Sequence, residues 1–244
     1  MKTNLFRADP LGDGISSVEV IHCMGTDLTV VNAARVSMAK QSSWDVQWDE
    51  KKGWIKTLSE RDKRLINYLA RHNHWTPFSH PQITFRLKMP IFVARQWFKH
   101  QVGFTRNEVS RRYVDDPPEF YLPKEWRKRA ENVKQGSSDE LVANNEQVCR
   151  DISNLYAECS NMYQHLLSCG VCPEQARMVL PQSTYTEFYE TGSLAGYARL
   201  VRLRKDSHAQ KEIRQYAAAI SSFMEMLFPV SWEALTRTEV STNE

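Results

Sequence analysis

The sequence predicts an α+β fold in which helices flank an antiparallel sheet. Strand-like stretches occur at residues 16–25, 82–89 and 183–191, far apart along the chain. Helical periodicity dominates the segments between them, and the chain shows no internal repeat. A few strands in separate places among many helices are typical of an antiparallel sheet in an α+β protein.

Length and composition indicate one sizeable domain over residues 1–244, since 41% of the chain is hydrophobic. No apolar run reaches the roughly 20 residues that span a bilayer, and the first residues lack the apolar centre of a secretion signal. Five cysteines, an odd number, favour reduced thiols and a cytoplasmic location without a membrane partner. The net charge of +3 does not indicate a nucleic-acid partner.

The N-terminal third predicts a strand, two helices and an insertion. Residues 16–25 alternate apolar side chains as a strand does, and residues 29–40 begin as a helix and continue as a loop. Residues 41–56 are polar, contain three tryptophans and predict a surface insertion or lid. Ser59 is a favourable N-cap for a helix over 60–72.

The middle of the chain predicts a half-buried strand followed by helices. Residues 82–89 alternate apolar positions with threonine, arginine and lysine, so cations lie on the outer face of that strand. Pro90 then opens a helix at its first turn. A proline-rich connection at 115–123 leads into helical stretches from about 124 to 170, so 115–170 is predicted as a mainly helical segment.

The C-terminal part predicts three helices around one strand. In chain order these are a short helix from Pro173 to Pro181, the strand at 183–191, a helix at 193–204, and a long helix from Asp206 or Ser207 to Pro229. With the preceding segments, these elements complete the α+β prediction.

Positive charge is concentrated in residues 98–113, where a surface helix would normally mix the signs. The segment holds several cations with a single acid, Glu108. Ser110 and nearby backbone NH groups suit a phosphate, Arg112 can form two parallel hydrogen bonds to it, and Glu108 can accept from an imide or a ribose hydroxyl. Charge alone leaves an anion site and an exposed basic face equally open.

Taken alone, the other clusters of charged residues, histidines and cysteines indicate structural roles rather than catalysis or metal binding. Glu174 and Arg177 are spaced as a surface ion pair, and His208 near a helix start suits capping or packing. The histidines at 72, 74 and 80 match no zinc spacing, and the lone CxxC at 169–172 has no second pair, so no metal site is predicted. There is no glycine-rich phosphate loop and no G-x-S-x-G elbow.

Four segments in the same order resemble the flavin-dependent thymidylate synthases. They are NAARVSMAK at 32–40, HWTPFSHPQITFRLKMPIFVARQ at 74–96, ARQWFKHQVGFTRNEVSRRYV at 94–114, and PEQARMVLPQSTYTEFYETGSLAGYARLVRLRKDSHAQKEI at 173–213. The likeness therefore touches most of the chain between Asn32 and Ala217.

The resemblance implies a single catalytic domain that methylates dUMP to dTMP. Methylenetetrahydrofolate would donate the carbon, and FAD reduced by NADPH would deliver the hydride. Family members are homotetramers with active sites shared between subunits, and the same assembly is implied here. All the small molecules involved are anionic, which accounts for the concentration of cations.

The resemblance also implies substrate-binding, catalytic and cofactor-binding roles for individual residues. The dUMP contacts fall on Gln96, Lys99, Glu108, Ser110, Arg111, Arg112, Arg177 and Arg204. Arg204 is the implied catalytic residue, because it matches an arginine that polarises the uracil ring, and a guanidinium stays charged near an enolate-like oxygen. The flavin contacts fall on His74, Thr76, Lys99, His100, Gln101, Glu108, Ser193, Arg199 and His208.

The chain departs from the family pattern mainly on the flavin and folate side. Lys99-His100-Gln101 stands in place of Arg-His-Arg, and the spacer to Ser110 is one residue longer. Lysine keeps the charge of an arginine but loses its planar fork, and Gln101 is uncharged. Ser79 and Ser193 stand where the family usually has Glu and Asn.

Two alternatives to the methylating enzyme stay open from the sequence. One is a related folate-dependent dUMP hydroxymethylase, and the other is a non-catalytic relative that binds nucleotide through the basic segment. The retained dUMP residues speak against the second, because a protein without chemistry has little need for that whole set.

Overall fold

A computed structural model describes residues 6–131 and 137–237 of the chain. The strands are β1 (Arg7–Ala8), β2 (Ser17–Met24), β3 (Asp45–Asp49), β4 (Gly53–Thr57), β5 (Gln82–Pro90), β6 (Phe104–Glu108), β7 (Arg127–Arg129), β8 (Ser137–Leu141) and β9 (Tyr185–Ser193). The α-helices are α1 (Asp27–Arg35), α2 (Glu60–Arg71), α3 (Ile91–Trp97), α4 (Asn145–Ser168), α5 (Pro173–Ala176), α6 (Leu194–Arg204), α7 (Lys211–Leu227) and α8 (Pro229–Thr236).

The main sheet has five strands in the order β1-β2-β5-β9-β6, and every pairing is antiparallel. The prediction of an antiparallel sheet with flanking helices is confirmed. The edge strand β6 was not predicted, because FTRNE lacks a regular apolar alternation. Its pairing with β9 places Arg106 opposite Glu190, so two charged residues meet on the inner face of the sheet.

One face of the sheet carries the core. The alternate side chains of β5, from Ile83 to Met89, are fully buried, whereas Arg86 on the opposite face is exposed. Helices α3, α6 and α7 pack against the strands β5, β9 and β2 respectively. Trp97 of α3 and Tyr216 of α7 are fully buried in this layer. The inner face of the sheet and these three helices therefore position the polar groups described below.

The segment 41–56 contains most of an exposed β-hairpin made by β3 and β4. Trp48 and Trp54 lie opposite each other, with ring centroids 5.5 Å apart in an edge arrangement. Their exposed fractions are 62% and 71%, so the pair contributes little to the core. Gly53 has φ of +74°, a conformation that favours glycine at the turn of the hairpin.

The prediction that 115–170 is mainly helical is wrong for its first half. Among the described residues of this segment, only Asn145–Ser168 is α-helical, and β7 pairs with β8 in antiparallel orientation before it. Arg127 of β7 donates to Ser137 of β8 and pairs with Glu212 of α7, at 2.9 Å between Nη1 and Oε1. These tertiary contacts outweigh the high helix propensity of the surrounding residues.

The last helix also differs from the prediction at both ends. Helix α7 begins at Lys211 rather than at Asp206 or Ser207, because the Asp206 carboxylate accepts from the backbone NH of His208 and stabilises a turn. At the other end Pro229 opens a further helix, α8, which was not predicted. The buried Asp27 carboxylate caps α8 by accepting from the NH groups of its second and third residues.

Across residues 6–131 and 137–237, none of the helices combines the length and the apolar character needed to cross a bilayer.

Candidate active site

Five of the residues predicted to bind dUMP line one pocket of about 400 Å³. They are Glu108, Ser110, Arg111, Arg112 and Arg177. The first four lie at the end of strand β6 and in the turn that follows it, and Arg177 follows the short helix α5. Thr184, Tyr185 and Thr186 at the start of β9 close the inner side. Residues almost 70 positions apart in sequence thus meet at one edge of the sheet.

The pocket lining carries three guanidinium groups against one carboxylate. Thr186 Oγ1 donates to Glu108 Oε1 at 2.6 Å, which fixes the carboxylate at the pocket wall. The Ser110 hydroxyl oxygen accepts from the backbone NH and the Nε of Arg112, so the serine hydrogen is directed away from Arg112. This arrangement suits a ligand with one anionic end and one end that donates hydrogen bonds.

Arg177 and Arg111 are held by backbone oxygens. Arg177 Nε donates to the Glu174 carbonyl at 3.3 Å, and Arg111 Nη1 donates to the Asp116 carbonyl at 2.8 Å. The side-chain ion pair between Glu174 and Arg177 does not form among the residues that the structure describes. Both guanidinium groups therefore keep their charge available to a ligand.

This pocket is not lined by the other three residues predicted to bind dUMP, which are Gln96, Lys99 and Arg204. Arg204 lies at the end of α6, where its Nε donates to His100 Nε2 at 2.9 Å and its Nη2 donates to the Gln96 carbonyl at 3.3 Å. The Gln96 side-chain amide in turn donates to Gln210 at 2.6 Å. Arg204 is therefore oriented by Gln96 of α3 and by His100, three residues beyond the end of that helix, and it belongs to a second polar cluster.

His100 is neutral at physiological pH. Burial lowers its pKa to about 4, and the neighbouring charges of Arg204, Arg199 and Arg106 act in the same direction. Because Nε2 accepts the hydrogen bond from Arg204, the ring proton lies on Nδ1. The residue is only 7% exposed, and its ring supports the Arg204 guanidinium.

The lowered pKa of His100 predicts a loss of stability in mild acid. A histidine with a folded pKa below its unfolded value contributes stability above the unfolded pKa, and this stability is lost as the pH falls through the folded pKa. The window here runs from 6.5 to about 4, which corresponds to about 3 kcal/mol of the free energy of unfolding. Urea unfolding across that pH range measures it.

The matched comparison uses His100→Asn and His208→Asn, because the His208 side chain is 80% exposed. The decrease in the free energy of unfolding at acid pH should be smaller in His100→Asn and unchanged in His208→Asn. Equal pH dependence in the wild type and the His100→Asn variant would show that His100 is not the responsible group.

A buried charge cluster next to His100 was not predicted from the sequence. Glu190 is fully buried, forms an ion pair with Arg106, and accepts from Trp97 Nε1 at 3.1 Å. Burial raises the pKa of the Glu190 carboxyl, and Arg106 opposes this shift. Arg106 also donates to the His100 carbonyl. Glu190 therefore fixes Arg106, and Arg106 fixes the backbone beside His100.

A second pocket of about 420 Å³ contains Ser193 and Arg199, two of the residues predicted for the flavin. Val102, Gly103 and Arg202 also line it, together with Asn73 and Trp75, which flank the predicted His74. Gly103 has φ of +83°, and a Cβ added there would meet Ser193 Oγ at 3.3 Å. The chain thus approaches the pocket closely, next to two exposed arginines and apolar surface from Val102 and Trp75.

These features fit a flavin dinucleotide. The Arg199 and Arg202 guanidinium groups suit a pyrophosphate, and the apolar wall with Gly103 suits a flat ring. The Ser193 hydroxyl is already engaged, because it caps α6 by accepting from the backbone NH of Gly196. Ser193 therefore contributes to the pocket mainly through the start of that helix.

The remaining residues predicted to contact the flavin lie in different parts of the structure. His74 and Thr76 lie beside lining residues of the second pocket, and Lys99 and Gln101 are exposed just before Val102. Glu108 lies in the first pocket, and His208 pairs with Asp206 in the exposed turn before α7. The chain therefore presents two partial sites rather than one complete site. Among the described residues, no group of His, Cys, Asp or Glu side chains is arranged to hold a metal ion.

Comparison with known proteins identifies the family. Residues 19–230 match the family described as thymidylate synthase complementing protein. A flavin-dependent thymidylate synthase of Thermosipho melanesiensis is 40% identical over 221 residues, covering 90% of both chains. One from Thermotoga neapolitana is 40% identical over 220 residues, again covering 90% of both. The chain belongs to the flavin-dependent thymidylate synthase family.

The fold of the chain agrees with this family assignment. The crystal structure of a UMP/dUMP methylase PolB from Streptomyces cacaoi, bound with 5-Br dUMP, superimposes with a TM-score of 0.77 at 31% identity. The alignment covers 91% of this chain and 94% of that one. As a flavin-dependent thymidylate synthase, the protein is an enzyme, and its unusual Lys99-His100-Gln101 segment directly precedes Val102 of the second pocket.

Proposed function

We propose that the protein converts dUMP to dTMP, with methylenetetrahydrofolate as the carbon donor and NADPH as the reductant of bound FAD. The observation that carries this proposal is the pocket in which Glu108, Ser110 and three arginines converge. The relative bound with 5-Br dUMP, at 31% identity, supports a pyrimidine nucleotide as the ligand.

The pocket offers a distinct role for each side chain. Arg112 and Arg177 would neutralise the phosphate, with the Ser110 hydroxyl donating one hydrogen bond to it. Glu108, fixed by Thr186, accepts hydrogen bonds and suits a ribose hydroxyl or the imide NH of uracil. No base lies within hydrogen-bond distance of Ser110 among the described residues, so the serine binds substrate rather than attacking it.

Arg204 would act on the uracil ring. Loss of the N3 proton and attack by C5 place negative charge on the ring oxygens, and a fixed guanidinium stabilises such charge. Neutral His100 holds the guanidinium without competing for its charge, because a protonated imidazole would repel it. Arg204 is therefore prepared for the developing charge before the substrate binds.

The second pocket would hold FAD through Arg199 and Arg202, with His74, Thr76 and the Lys99–Gln101 segment at its rim. FAD, when bound and reduced, supplies the hydride that completes the methyl group. The exposed Lys99 ammonium contributes charge at this rim, and its flexible stem cannot provide the planar stacking of an arginine.

A homotetramer with shared active sites accounts for the division of these residues. Arg177 lies in one pocket, whereas Arg204 lies in the separate cluster with His100 and Gln96. In a symmetric assembly the pocket of one subunit can face the Arg204 cluster of another, because each interface is used repeatedly. Both sets would then surround one dUMP molecule.

The function is tested by incubating purified protein with dUMP, methylenetetrahydrofolate and NADPH, with and without FAD. We expect dTMP to form only when flavin is present. Formation of hydroxymethyl-dUMP, or unchanged dUMP with flavin bound, would contradict the proposal.

Shared sites predict that two impaired variants restore wild-type sites when their chains are co-expressed, measured at a dUMP concentration well below the KM of Arg177→Gln. Arg177→Gln should raise the KM for dUMP about tenfold or more, since one charge-assisted contact is lost, and Arg204→Gln should abolish turnover. Co-expressed chains that carry one change each should recover about a quarter of the wild-type sites, because random assembly pairs two intact halves that often. Activity no higher than that of the separate variants would show that both residues act within one subunit.

A further inference from the structure

A third pocket of about 740 Å³ has no role in the proposed sites. It lies along one face of α2 and includes five arginines, Arg35, Arg61, Arg64, Arg71 and Arg237. Tyr68 also lines it, and its ring is 51% exposed. Such a density of guanidinium groups in one concave surface favours a ligand with several negative charges.

Three of these arginines form no ion pair with an acidic residue in the part of the chain that the structure describes. Arg35 is paired with Asp62, and Arg237 donates to Glu233 at 2.6 Å. Within residues 6–131 and 137–237, Arg61, Arg64 and Arg71 form no ion pair and no hydrogen bond from their side chains.

Their spacing places the three on the same side of the helix. Arg61 and Arg64 are three residues apart, and Arg71 lies two turns beyond Arg64. Both acids in the first turn of α2 are engaged elsewhere, since Asp62 pairs with Arg35 and Glu60 pairs with Lys63 at 2.7 Å. Like charges at this spacing repel one another, so an anion bound between them would relieve a cost that the free protein carries.

The arginine pocket adjoins the candidate flavin pocket. Arg71 and Arg237 line the former, whereas Asn73 and Leu235, two residues away on each segment, line the latter. The ring centroids of Tyr68 and His74 are 6.0 Å apart, so one aromatic contact connects the two pockets. A ligand in the arginine pocket is therefore within reach of the predicted flavin contact His74.

We propose that the arginine pocket binds the phosphate groups of the nicotinamide dinucleotide that reduces the flavin. This rests on the proposed function, since that function requires such a reductant. Arg61, Arg64 and Arg71 would contact the phosphates, and the exposed face of Tyr68 would pack against the adenine ring. The nicotinamide end would then extend past His74 towards the flavin pocket.

The phosphate assignment is preferred to the carboxylates of a folate tail because of the number of cations in the pocket. Tyr68 lies against His72 with a centroid distance of 4.3 Å and is still half exposed, so it can pack against a ligand ring. A folate with one glutamate carries two carboxylates, whereas NADPH carries a pyrophosphate and a further phosphate beside the adenine, which suits three guanidinium groups better.

Calorimetric titration with NADP⁺ tests the proposal without relying on turnover. The double variant Arg61→Gln/Arg64→Gln should bind NADP⁺ at least about tenfold more weakly, since two charge-assisted contacts are lost. Arg150→Gln, on the exposed side of α4, is the matched control and should bind as the wild type does. Arg71→Gln should weaken binding as well, and the thermal midpoint of each variant reports its folding.

Unchanged NADP⁺ affinity in folded Arg61→Gln/Arg64→Gln protein would overturn the proposal, as would weakened binding of methylenetetrahydrofolate alone. Failure of the proposed function is a separate outcome. Flavin reduced by dithionite would then give no dTMP even in the wild type, whereas the NADP⁺ pattern of the variants would still support the pocket.

Discussion

Replacing Arg204 with lysine is expected to lower kcat for dTMP formation by about 10²–10³-fold, because removing one preordered charge donor from a reacting oxygen has an effect of that size. Lysine keeps the positive charge, but its donors share one nitrogen and cannot reproduce the planar Nε and Nη2 contacts with His100 and the Gln96 carbonyl. The charge would therefore no longer be fixed where it develops on the uracil ring. Steady-state kinetics at saturating dUMP measure the change.

The adjacent Lys205→Gln variant is the control for Arg204→Lys, because Lys205 is exposed at the end of the same helix. It should retain the wild-type kcat. Wild-type turnover in Arg204→Lys would show that the charge alone suffices and that the contacts with His100 and Gln96 have no catalytic role.

Replacing Glu190 with glutamine is expected to destabilise the protein by about 3–5 kcal/mol, the usual cost of removing one partner of a buried ion pair. Arg106 would be left uncompensated beside Trp97, in a site where the Glu190 side chain has no exposure. For a chain of this length the loss corresponds to a fall in the thermal midpoint of about 6–20 °C. Differential scanning calorimetry measures it.

Glu187 on the same strand provides the matched control, since its ion pair with Arg86 lies on the outer face of the sheet and is partly exposed. Glu187→Gln should change the free energy of unfolding by less than about 1 kcal/mol. Similar losses in both variants would mean that burial of the Glu190–Arg106 pair has no special energetic weight.

The sequence predicts the main elements of the fold where local patterns are strong. The alternation in β5, the Ser59 cap of α2 and the helix after Pro90 all appear in the structure as predicted. The late start of α7 comes from the local turn at Asp206, and the other errors occur where distant residues contact the segment. Asp27 caps α8 from more than 200 positions away, and no local pattern reveals such a contact.

The site is predictable to a similar extent. Family motifs select the residues of the first pocket, because Glu108, Ser110 and Arg112 are close in sequence and lie in one turn. They do not reveal Glu190, because an acid within an alternating strand is expected to face solvent. The register with Arg106 could have revealed it, but β6 was not recognised as a strand. Nor does the sequence show that Arg204 and Arg177 belong to different clusters.

The most direct test is to identify both products of one reaction, the nucleotide and the folate, by mass spectrometry. If the hydride comes from reduced flavin, the folate keeps all its own hydrogens and leaves as tetrahydrofolate. Flavin-dependent dTMP together with tetrahydrofolate is therefore the predicted result. Dihydrofolate in equal amount to dTMP, or a nucleotide that carries a hydroxymethyl group, would contradict it.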